Sequence, residues 1–289
     1  VYPNARDNAL TTKIFRIPVS SENLLLPNDI NKLKAEGYLY AEGIRNAYDM
    51  AFDPEDNLFA VVNSSDYDHS EDMFWVRQGR HYGFPWIMGG IENPQQYPDF
   101  MPDPKNDPFL PASSHGMLMK YFRNDPDFPK VPEGVKFSPG VQNLGPDANE
   151  YRGHSGKILD GDNTGVSIST FTAHSSPLGL VFDTKGVLSD EFKGDGFVLR
   201  NTLGTKSSLM KPFTDQGRDL LHLDMSYDKA SDNYFVKTTR IVDSFNNPTD
   251  AVLLGNSLYI IEYDAKVGSI WKVTIPAGSK KAKRVKKKS

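Results

Sequence analysis

The first feature of the sequence that could do chemistry is a short acidic stretch. Four carboxylates fall within seven residues: Asp66, Asp68, Glu71 and Asp72. Such charges repel one another at close range unless a cation or solvent separates them. Calcium is held by oxygen ligands, including backbone carbonyls that a turn can supply. The stretch lacks the glycine and the closing glutamate of an EF-hand, so it predicts either a calcium-binding loop of another kind or a solvated acidic loop.

A second candidate is the pair Arg45 and Asn46, which directly precedes an apolar segment. A guanidinium group is always charged and presents its donors as a rigid fork, which suits a planar anion or a developing oxyanion. The alternative is a structural arginine that donates to backbone carbonyls of neighbouring strands.

His174, with Thr172 close before it and Ser175 after it, precedes another apolar segment. An imidazole at such a turn can accept or relay a proton near neutral pH. A structural histidine that bonds a neighbouring sheet is the alternative interpretation. Arg200 follows a further apolar segment and is a candidate for binding a carboxylate group of a cofactor.

Other kinds of site are disfavoured by the residue pattern. The remaining histidines show no spacing typical of a zinc site. The tetrapeptide G-T-K-S at residues 204–207 lacks the first glycine of a phosphate-binding loop. Cysteine is absent, which excludes thiolate sites and disulfides. Residues 152–163 are typical of a hairpin with its turns, with a second calcium site near Asp160 and Asp162 as the weaker alternative.

A repeated sequence pattern predicts the strands that must position these residues. Residues 48–62, 178–188 and 249–261 each consist of an apolar strand and a turn containing Asp, Asn or Gly, and each leads, directly or after an insert, to a second apolar strand. Such a unit cannot bury both faces alone and must stack beside copies of itself. The repeats predict an array of small sheets, either radial or linear.

Further strands are predicted at residues 10–19, 72–76 and 268–276, and one short helix within residues 26–37. The helix would begin near Asn28 or Asp29 and end at Gly37. The long segment 89–131 contains eight prolines and many aromatic residues. We expect it to be an ordered excursion packed over the array.

Charge is distributed unevenly along the chain. The overall net charge is −4, yet residues 280–288 carry seven of the 33 basic residues, so the body is acidic. An acidic body disfavours a nucleic-acid-binding core, and the basic tail at 279–289 is expected to be disordered. No apolar run approaches the roughly 20 residues that a membrane-spanning helix needs.

Four motifs in order resemble the glucose/sorbosone dehydrogenase family. Residues 42–53, E-G-I-R-N-A-Y-D-M-A-F-D, are similar to the family's G-x-R-N-P-x-G-(L/M)-A-F. Residues 79–86, G-R-H-Y-G-F-P-W, follow the acidic stretch as G-x-N-Y-G-W-P does in the family. Residues 173–182, A-H-S-S-P-L-G-L-V-F, and 192–198, F-K-G-D-G-F-V, resemble two further family motifs. The similarity extends from about residue 13 to about residue 275.

The resemblance implies an all-β fold, a β-propeller of four-stranded blades from a six-bladed family. About four blades would be present, in residues 1–278. It also implies a quinoprotein that oxidises a sugar or related alcohol with pyrroloquinoline quinone (PQQ) and Ca²⁺. Such proteins act outside the cytoplasm, so the periplasm or the exterior is expected, together with a separate electron acceptor.

Each candidate residue receives a role from the same resemblance. Arg45 and Asn46 would bind the reactive carbonyl edge of the quinone, and His174 and Thr172 would lie near its pocket. The carbonyls of Asp66 and Tyr67 would hold calcium. Glu71 or Asp72 would ligate the metal or brace its loop, and Arg200 would replace a basic ligand of the quinone carboxylates.

The chain departs from the family pattern at several positions. Ala47 and Asp49 replace the usual proline and glycine, and residues 246–250 lack an arginine common in the family. The family's general-base histidine would lie upstream of Leu10, in a missing N-terminal segment or a partner subunit. A propeller that has lost catalysis and serves as a binding or assembly module is therefore the alternative function. A calcium-dependent lactonase is a third, for which no convergent ligand set is found.

Overall fold

The computed structural model describes residues 7–65, 67–101, 123–202, 213–215, 217–263 and 267–278. It is mostly β, with 40% strand and 6% helix. In the first half of the chain the elements are β1 Lys13–Phe15, α1 Ile30–Ala35, β2 Leu39–Glu42, β3 Ala47–Phe52, β4 Leu58–Val62, β5 Asp72–Val76, β6 Ile87–Met88, β7 Ile91–Glu92 and a single 3-10 turn at Pro94–Gln96.

The second half contains β8 Gln142–Pro146, β9 Glu150–Arg152, β10 Ile158–Asp160, α2 Gly161–Thr164, β11 Pro177–Phe182, β12 Gly196–Arg200, β13 Asp219–Asp228, β14 Asn233–Val242, β15 Pro248–Leu254, β16 Ser257–Glu262 and β17 Ser269–Thr274. All strand pairs are antiparallel except β14 with β8. No helix among the described elements is long and apolar enough to span a membrane.

Three apolar layers hold successive sheets face to face. The five-stranded sheet β11-β12-β13-β14-β8 lies in the middle of the array. Along β12, Val198 packs against Phe59 and its neighbours in the sheet β3-β4-β5. The adjacent Phe197 packs against Leu258 and its neighbours in the sheet β15-β16-β17. Because side chains alternate between the faces of a strand, one strand serves both layers. A third layer joins β3-β4-β5 to the pair β1-β2.

The first strands of the three repeats lie side by side. β11 packs between β3 and β15. An Asp49 carboxylate oxygen accepts a hydrogen bond of 2.8 Å from the backbone N–H of Leu180 in the neighbouring sheet. On the other side, a Cβ atom on Gly179 would lie only 2.7 Å from the Cα of Asp250. Glycine at this position therefore permits the close approach of β15.

The predicted fold class is confirmed: the chain is all-β and built from small stacked sheets of the propeller type. The helix is confirmed too, because Asp29 caps its first turn through bonds from Asn31 and Lys32, and Gly37 ends it with φ +76°. Two of the sheets have three strands among the described residues, where four were expected. In the second repeat, residues 187–188 form no strand, and β12 pairs with β11 instead. The basic tail lies outside the described residues.

Candidate functional site

The candidate site is built on the loop between β4 and β5. Ser64 closes this loop: its backbone N–H donates to Glu71 Oε2 at 2.5 Å, and its hydroxyl donates to the carbonyl of Ser70 at 2.6 Å. Arg45 lies just before β3 and reaches the same loop. Its Nη1 donates to the carbonyls of Asn63 and Ser64, each at 2.8 Å. The loop thus brings a guanidinium group and several titratable groups together.

At the centre of the loop Asp68 is fully buried and binds two partners from distant parts of the chain. One carboxylate oxygen lies 2.7 Å from Nε2 of His174. The other accepts from Nε of Arg152 at 2.9 Å and also from its Nη2. The Arg152 guanidinium thereby fixes the carboxylate that faces the imidazole.

This geometry determines the tautomer of neutral His174. A carboxylate can only accept, so the Nε2 atom that faces it carries the proton and Nδ1 retains a lone pair. Nδ1 makes no hydrogen bond with any residue that the structure describes. The imidazole is therefore arranged as a proton acceptor at Nδ1, with Asp68 behind it to stabilise the imidazolium that would form.

The backbone at His174 has an unusual conformation. Its φ is +61°, a value that residues other than glycine rarely adopt, and Ser176 has φ +35°. A hydroxyl bond of 2.6 Å from Ser175 to the carbonyl of Thr172 holds the turn. Such a conformation costs about 1–3 kcal/mol and persists only where the surroundings impose it. Here it directs the imidazole to Asp68, just before β11 begins.

Burial shifts the pKa values of three further groups of the loop. It raises the pKa of Asp72 to about 6, against the opposing effect of the bonds from Ser169 and Gly89. It raises the pKa of Glu71 to about 7, while the bond from Ser64 and positive charge at His174 and Arg45 oppose the rise. Burial lowers the pKa of His69 to about 3. Nε2 of His69 is buried and has no hydrogen-bond partner in the described part of the chain. Near neutral pH His69 is therefore uncharged and Glu71 lies near its midpoint.

The described side chains of the loop are not arranged as a calcium site. Asp72 accepts from the backbone N–H of Gly89 at 2.9 Å and from the hydroxyl of Ser169. Both oxygens of Asp68 are also bonded to protein donors. Within the described ranges, no three acidic or histidine side chains converge as a metal site, near the loop or near Asp162. Glu71 and Asp72 thus both accept hydrogen bonds from protein donors, and their role as metal ligands or as braces of the loop stays a prediction.

The other predicted calcium ligands are backbone carbonyls. The carbonyl of Tyr67 accepts from the backbone N–H of His69 at 2.5 Å. Asp66 lies outside the described residues. The side chain of Tyr67 is buried, and its ring lies 4.9 Å from that of His69. No described carboxylate joins the carbonyl of Tyr67 as a further calcium ligand.

Arg200 does not join the cluster. It is fully buried and donates to both carboxylates of Asp215 and Asp219, at 2.5 to 3.0 Å. Arg240 binds the same two carboxylates. The assignment of Arg200 as a cofactor ligand is therefore replaced by a structural one, since burial and carboxylate partners leave its charge neutralised.

The two remaining candidates are also placed by the structure. The Thr172 hydroxyl is buried and accepts from the backbone N–H of Glu150 at 3.2 Å, so it supports the turn rather than facing a pocket. Asn46 is exposed beside Arg45, and its carbonyl accepts from the N–H of Asn63 at 3.0 Å. Asn46 thus stays near the loop, whereas Thr172 lies behind His174.

An open cavity of about 370 Å³ adjoins the loop. Tyr67 and Ile91 are buried in its lining, whereas Glu92, Tyr97 and His154 are exposed. The cavity is within the size range of small-molecule sites, roughly 300–1,000 Å³.

Sequence reasoning missed the partners that define the site. Asp68 was one carboxylate among four, and nothing in the sequence relates it to Arg152, which is 84 positions away, or to His174, which is 106 positions away. His69 was passed over because it has no neighbour at ligand spacing. Only the stacking of two sheets brings these residues together.

Comparisons with known proteins find structural similarity at low sequence identity. No protein-family model and no curated protein matches the chain. A crystal structure of glucose dehydrogenase is 14% identical, with a TM-score of 0.49, covering 91% of this chain and 55% of that one. A PQQ-bound aldose sugar dehydrogenase from Streptomyces coelicolor is 12% identical, with a TM-score of 0.43, covering 91% and 52%. The apo soluble aldose sugar dehydrogenase from Escherichia coli is 15% identical, with a TM-score of 0.42, covering 85% and 50%. Over most of its length, the chain is thus structurally similar to about half of each of these sugar dehydrogenases.

Proposed function

We propose that the protein is an oxidoreductase that oxidises a hydroxyl group of a sugar or related alcohol with PQQ as hydride acceptor. The observation that carries the proposal is the buried Asp68–His174 pair, with Arg152 fixing the carboxylate. A carboxylate-backed imidazole whose second nitrogen is unpaired is suited to removing a proton from a hydroxyl group. The sequence already indicated His174 as a residue that could accept or relay a proton, although the family's usual base was expected upstream of Leu10.

His174 would take the hydroxyl proton at Nδ1 as the C–H bond of the same carbon breaks. The proton that resides on Nε2 stays between His174 and Asp68, so the imidazolium lies against a negative charge. Arg152 keeps that charge in place by binding the opposite oxygen. When bound, PQQ supplies the carbonyl that receives the hydride, and the substrate leaves as a lactone or carbonyl compound.

Arg45 is the residue that fits the quinone. Only its Nη1 is used, on two loop carbonyls, and its Nε and Nη2 make no hydrogen bond within the described residues. The side chain is exposed and its charge lowers the pKa values of Glu71 and His69. A charged fork of donors held near the base can bind an anionic, planar ring. Asn46, which lies beside Arg45, would bind the same edge of the quinone.

The described residues do not fit calcium in the same way. Their carboxylates are bonded to protein donors, so a metal would depend on the carbonyls of Asp66 and Tyr67. No step is therefore assigned to it. In keeping with the sugar-oxidising role, we propose a location in the periplasm or outside the cell, a separate electron acceptor, and completion of the propeller by further chain or a partner subunit.

A non-catalytic binding module is the second candidate. It is favoured by the ion pairs of Arg200 with Asp215 and Asp219, because they neutralise a charge that could otherwise bind a cofactor. The two functions differ in whether the protein retains PQQ and turns over. In a module the Asp68–His174 pair would serve only to hold two sheets together.

One reconstitution experiment separates the candidates. The protein is incubated with PQQ, with and without Ca²⁺, and reduction of an artificial dye is followed with a panel of aldoses. We expect reduction with at least one aldose, and loss of PQQ affinity in Arg45→Lys. Arg218→Lys is the matched control, because Arg218 also donates to a backbone carbonyl, that of Thr202 at 2.8 Å. No retained quinone and no dye reduction would favour the module.

A further inference from the structure

We infer that two copies of this chain associate through their end sheets, so that β15 of each copy packs against β3 of the other. This association is independent of the proposed function. Within the chain, β3 packs against β11 and β11 packs against β15. Because side chains alternate between the two faces of a strand, each of these first strands presents one face to the preceding sheet and one to the next. At the two ends of the row, one face of β3 and one face of β15 are open.

The open face of β3, called the β3 face below, consists of three alternating apolar side chains that are 44 to 55% exposed: Tyr48, Met50 and Phe52. The equivalent positions of the second repeat are also apolar but only 2 to 8% exposed: Leu178, Leu180 and Phe182. There they pack on the sheet β3-β4-β5. The pair β1-β2 covers the outer part of that sheet, around Phe74, and leaves the β3 face open. The β3 face therefore has the composition of a face that is buried elsewhere in the chain.

The open face of β15, called the β15 face below, lies at the other end of the row. Val252 and Leu254 are 49% and 60% exposed. Two exposed isoleucines on the paired strands extend the same face: Ile261 and Ile270. The equivalents of Val252 in the first two repeats, Ala51 and Val181, are packed into apolar layers. A contiguous exposed apolar patch of this kind is typical of an interaction site.

The joint between β3 and β11 shows how the two open faces fit each other. Its one side holds Asp49 and Ala51, which are equivalent to Asp250 and Val252 of the β15 face. Its other side holds Leu180, which is equivalent to a residue of the β3 face. Asp49 accepts from the backbone N–H of Leu180 across the two sheets at 2.8 Å. A contact between the β15 face and the β3 face would therefore repeat a joint that the chain already contains.

A second copy covers both open faces at once, because the β15 face of each copy meets the β3 face of the other. Such a contact is heterologous, and it closes into a ring where the rotation between copies permits. Among the described residues one chain supplies three such first strands, β3, β11 and β15. Closed propellers have about four to eight blades. One copy falls below this range, whereas twice the number of first strands falls within it.

The second copy would also reach the candidate functional site. Asn63, which follows β4, donates from its side chain to the carbonyl of Pro177 at the start of β11, at 3.2 Å. The equivalent of Asn63 after β16 is the exposed Tyr263, and the equivalent of Pro177 in β3 is Ala47. Association would therefore bring Tyr263 of one copy close to Arg45 of the other, two positions before Ala47.

Disulfide cross-linking of two single-cysteine variants tests the joint. The chain has no cysteine, so Met50→Cys and Val252→Cys each carry one thiol, on the β3 face and on the β15 face. Under mild oxidation an equimolar mixture should give a mixed dimer in at least about tenfold higher yield than either variant alone, because a disulfide needs its two Cβ atoms close together. Val131→Cys is the matched control for Val252→Cys, since Val131 is 46% exposed and lies on neither face.

Sedimentation velocity over a range of protein concentrations gives the number of copies. We expect the unsubstituted protein to approach the mass of two copies as concentration rises. Met50→Glu and Val252→Glu should each weaken the association at least about tenfold, because each places an unpaired carboxylate in an apolar joint. Val131→Glu should associate as the unsubstituted protein does. Circular dichroism shows whether each variant is folded, and only folded variants are compared.

Three results would overturn the inference. The first is the mass of one copy at every concentration. The second is association that neither Met50→Glu nor Val252→Glu weakens. The third is cross-linking of Val252→Cys with itself and none with Met50→Cys, which would mean that two β15 faces meet instead.

Discussion

At the scale of single residues, the site depends on which atoms are already bonded. Asp68 is bound on both oxygens and His174 on one nitrogen, which leaves Nδ1 to act. The sequence indicated His174 and Arg45 as candidate functional residues, because an imidazole can transfer a proton and a guanidinium group can bind an anion. It could not show that Arg200 is neutralised, because Asp215 and Asp219 are acidic residues like any others in the sequence.

Glu71 allows a test of the buried loop through pH. Its pKa is raised from 4.5 to about 7 in the folded chain, so the unfolded chain ionises first as pH rises. Relative to Glu71→Gln, wild-type protein should therefore lose stability as the pH rises from about 4.5 to 7. The variant should match wild type below pH 4.5 and exceed it above pH 7 by up to about 3 kcal/mol in free energy of unfolding.

Urea unfolding at a series of pH values measures this difference. Glu262→Gln is a suitable control, since Glu262 is also buried and accepts from a backbone N–H, that of Asn246 at 2.5 Å. A difference between wild type and Glu71→Gln that stays constant from pH 4 to 8 would show that Glu71 does not titrate in this range.

At the scale of the elements, the repeats predicted the hairpins of the first and third copies, and the residues at its two ends predicted the helix, because strand alternation and capping are local signals. The repeat at residues 48–62 corresponds to β3 and β4, and the repeat at residues 249–261 corresponds to β15 and β16. The second strand of the second copy was harder to predict. Residues 187–188 resemble a strand in sequence, but in the described structure Leu188 makes only an isolated bridge to Ala277. Which strand pairs with β11 is decided by non-local packing.

Asp49 tests the contact between neighbouring first strands. Its carboxylate satisfies the backbone N–H of Leu180 across two sheets, so Asp49→Ala leaves that donor unpaired. We expect a loss of about 1–3 kcal/mol in the free energy of unfolding. Asp250 is the matched control: it occupies the corresponding position in β15, but among described residues its carboxylate accepts only from its neighbour Ala251.

Thermal or denaturant unfolding of Asp49→Ala and Asp250→Ala gives the comparison. The cross-sheet contact predicts that the first variant loses clearly more stability than the second. Equal losses in the two variants would mean that the bond to Leu180 contributes nothing beyond the bond that each aspartate accepts from the backbone N–H of the next residue.

At the scale of the whole molecule, apolar layers hold the described sheets together, and a buried ionic network besides that of Asp68 joins three strands of the five-stranded sheet. Arg200, Arg240, Asp215 and Asp219 form that network at the ends of β12, β13 and β14. The sequence predicted an all-β chain, and the mostly β structure confirms this class. The order in which layers pack could not be obtained from the sequence, since every sheet is apolar on at least one face.

Arg200 is the residue whose loss should affect the whole stack. Arg200→Met removes one of the two guanidinium groups that bind the buried carboxylates of Asp215 and Asp219, the fully buried one, and should lower the free energy of unfolding by about 3–5 kcal/mol. Lys34→Met is the control, because Lys34 pairs with Glu42 at the surface, where such pairs contribute about 0–1 kcal/mol. Chemical denaturation measures both changes. A structural network also predicts that a folded Arg200→Met protein keeps its PQQ affinity, and a specific loss of that affinity would restore the cofactor-binding role.

The central claim is that His174, held by Asp68, is the base that takes the proton of the hydroxyl group. The most direct measurement is kcat of the PQQ-loaded protein after His174→Gln, compared with His222→Gln. His222 forms the same kind of pair with Asp195, at 2.8 Å, away from the loop. We predict that His174→Gln lowers kcat by about 10²–10⁴-fold with PQQ retained, while His222→Gln leaves kcat nearly unchanged. Equal kcat values in wild type and His174→Gln would contradict the claim.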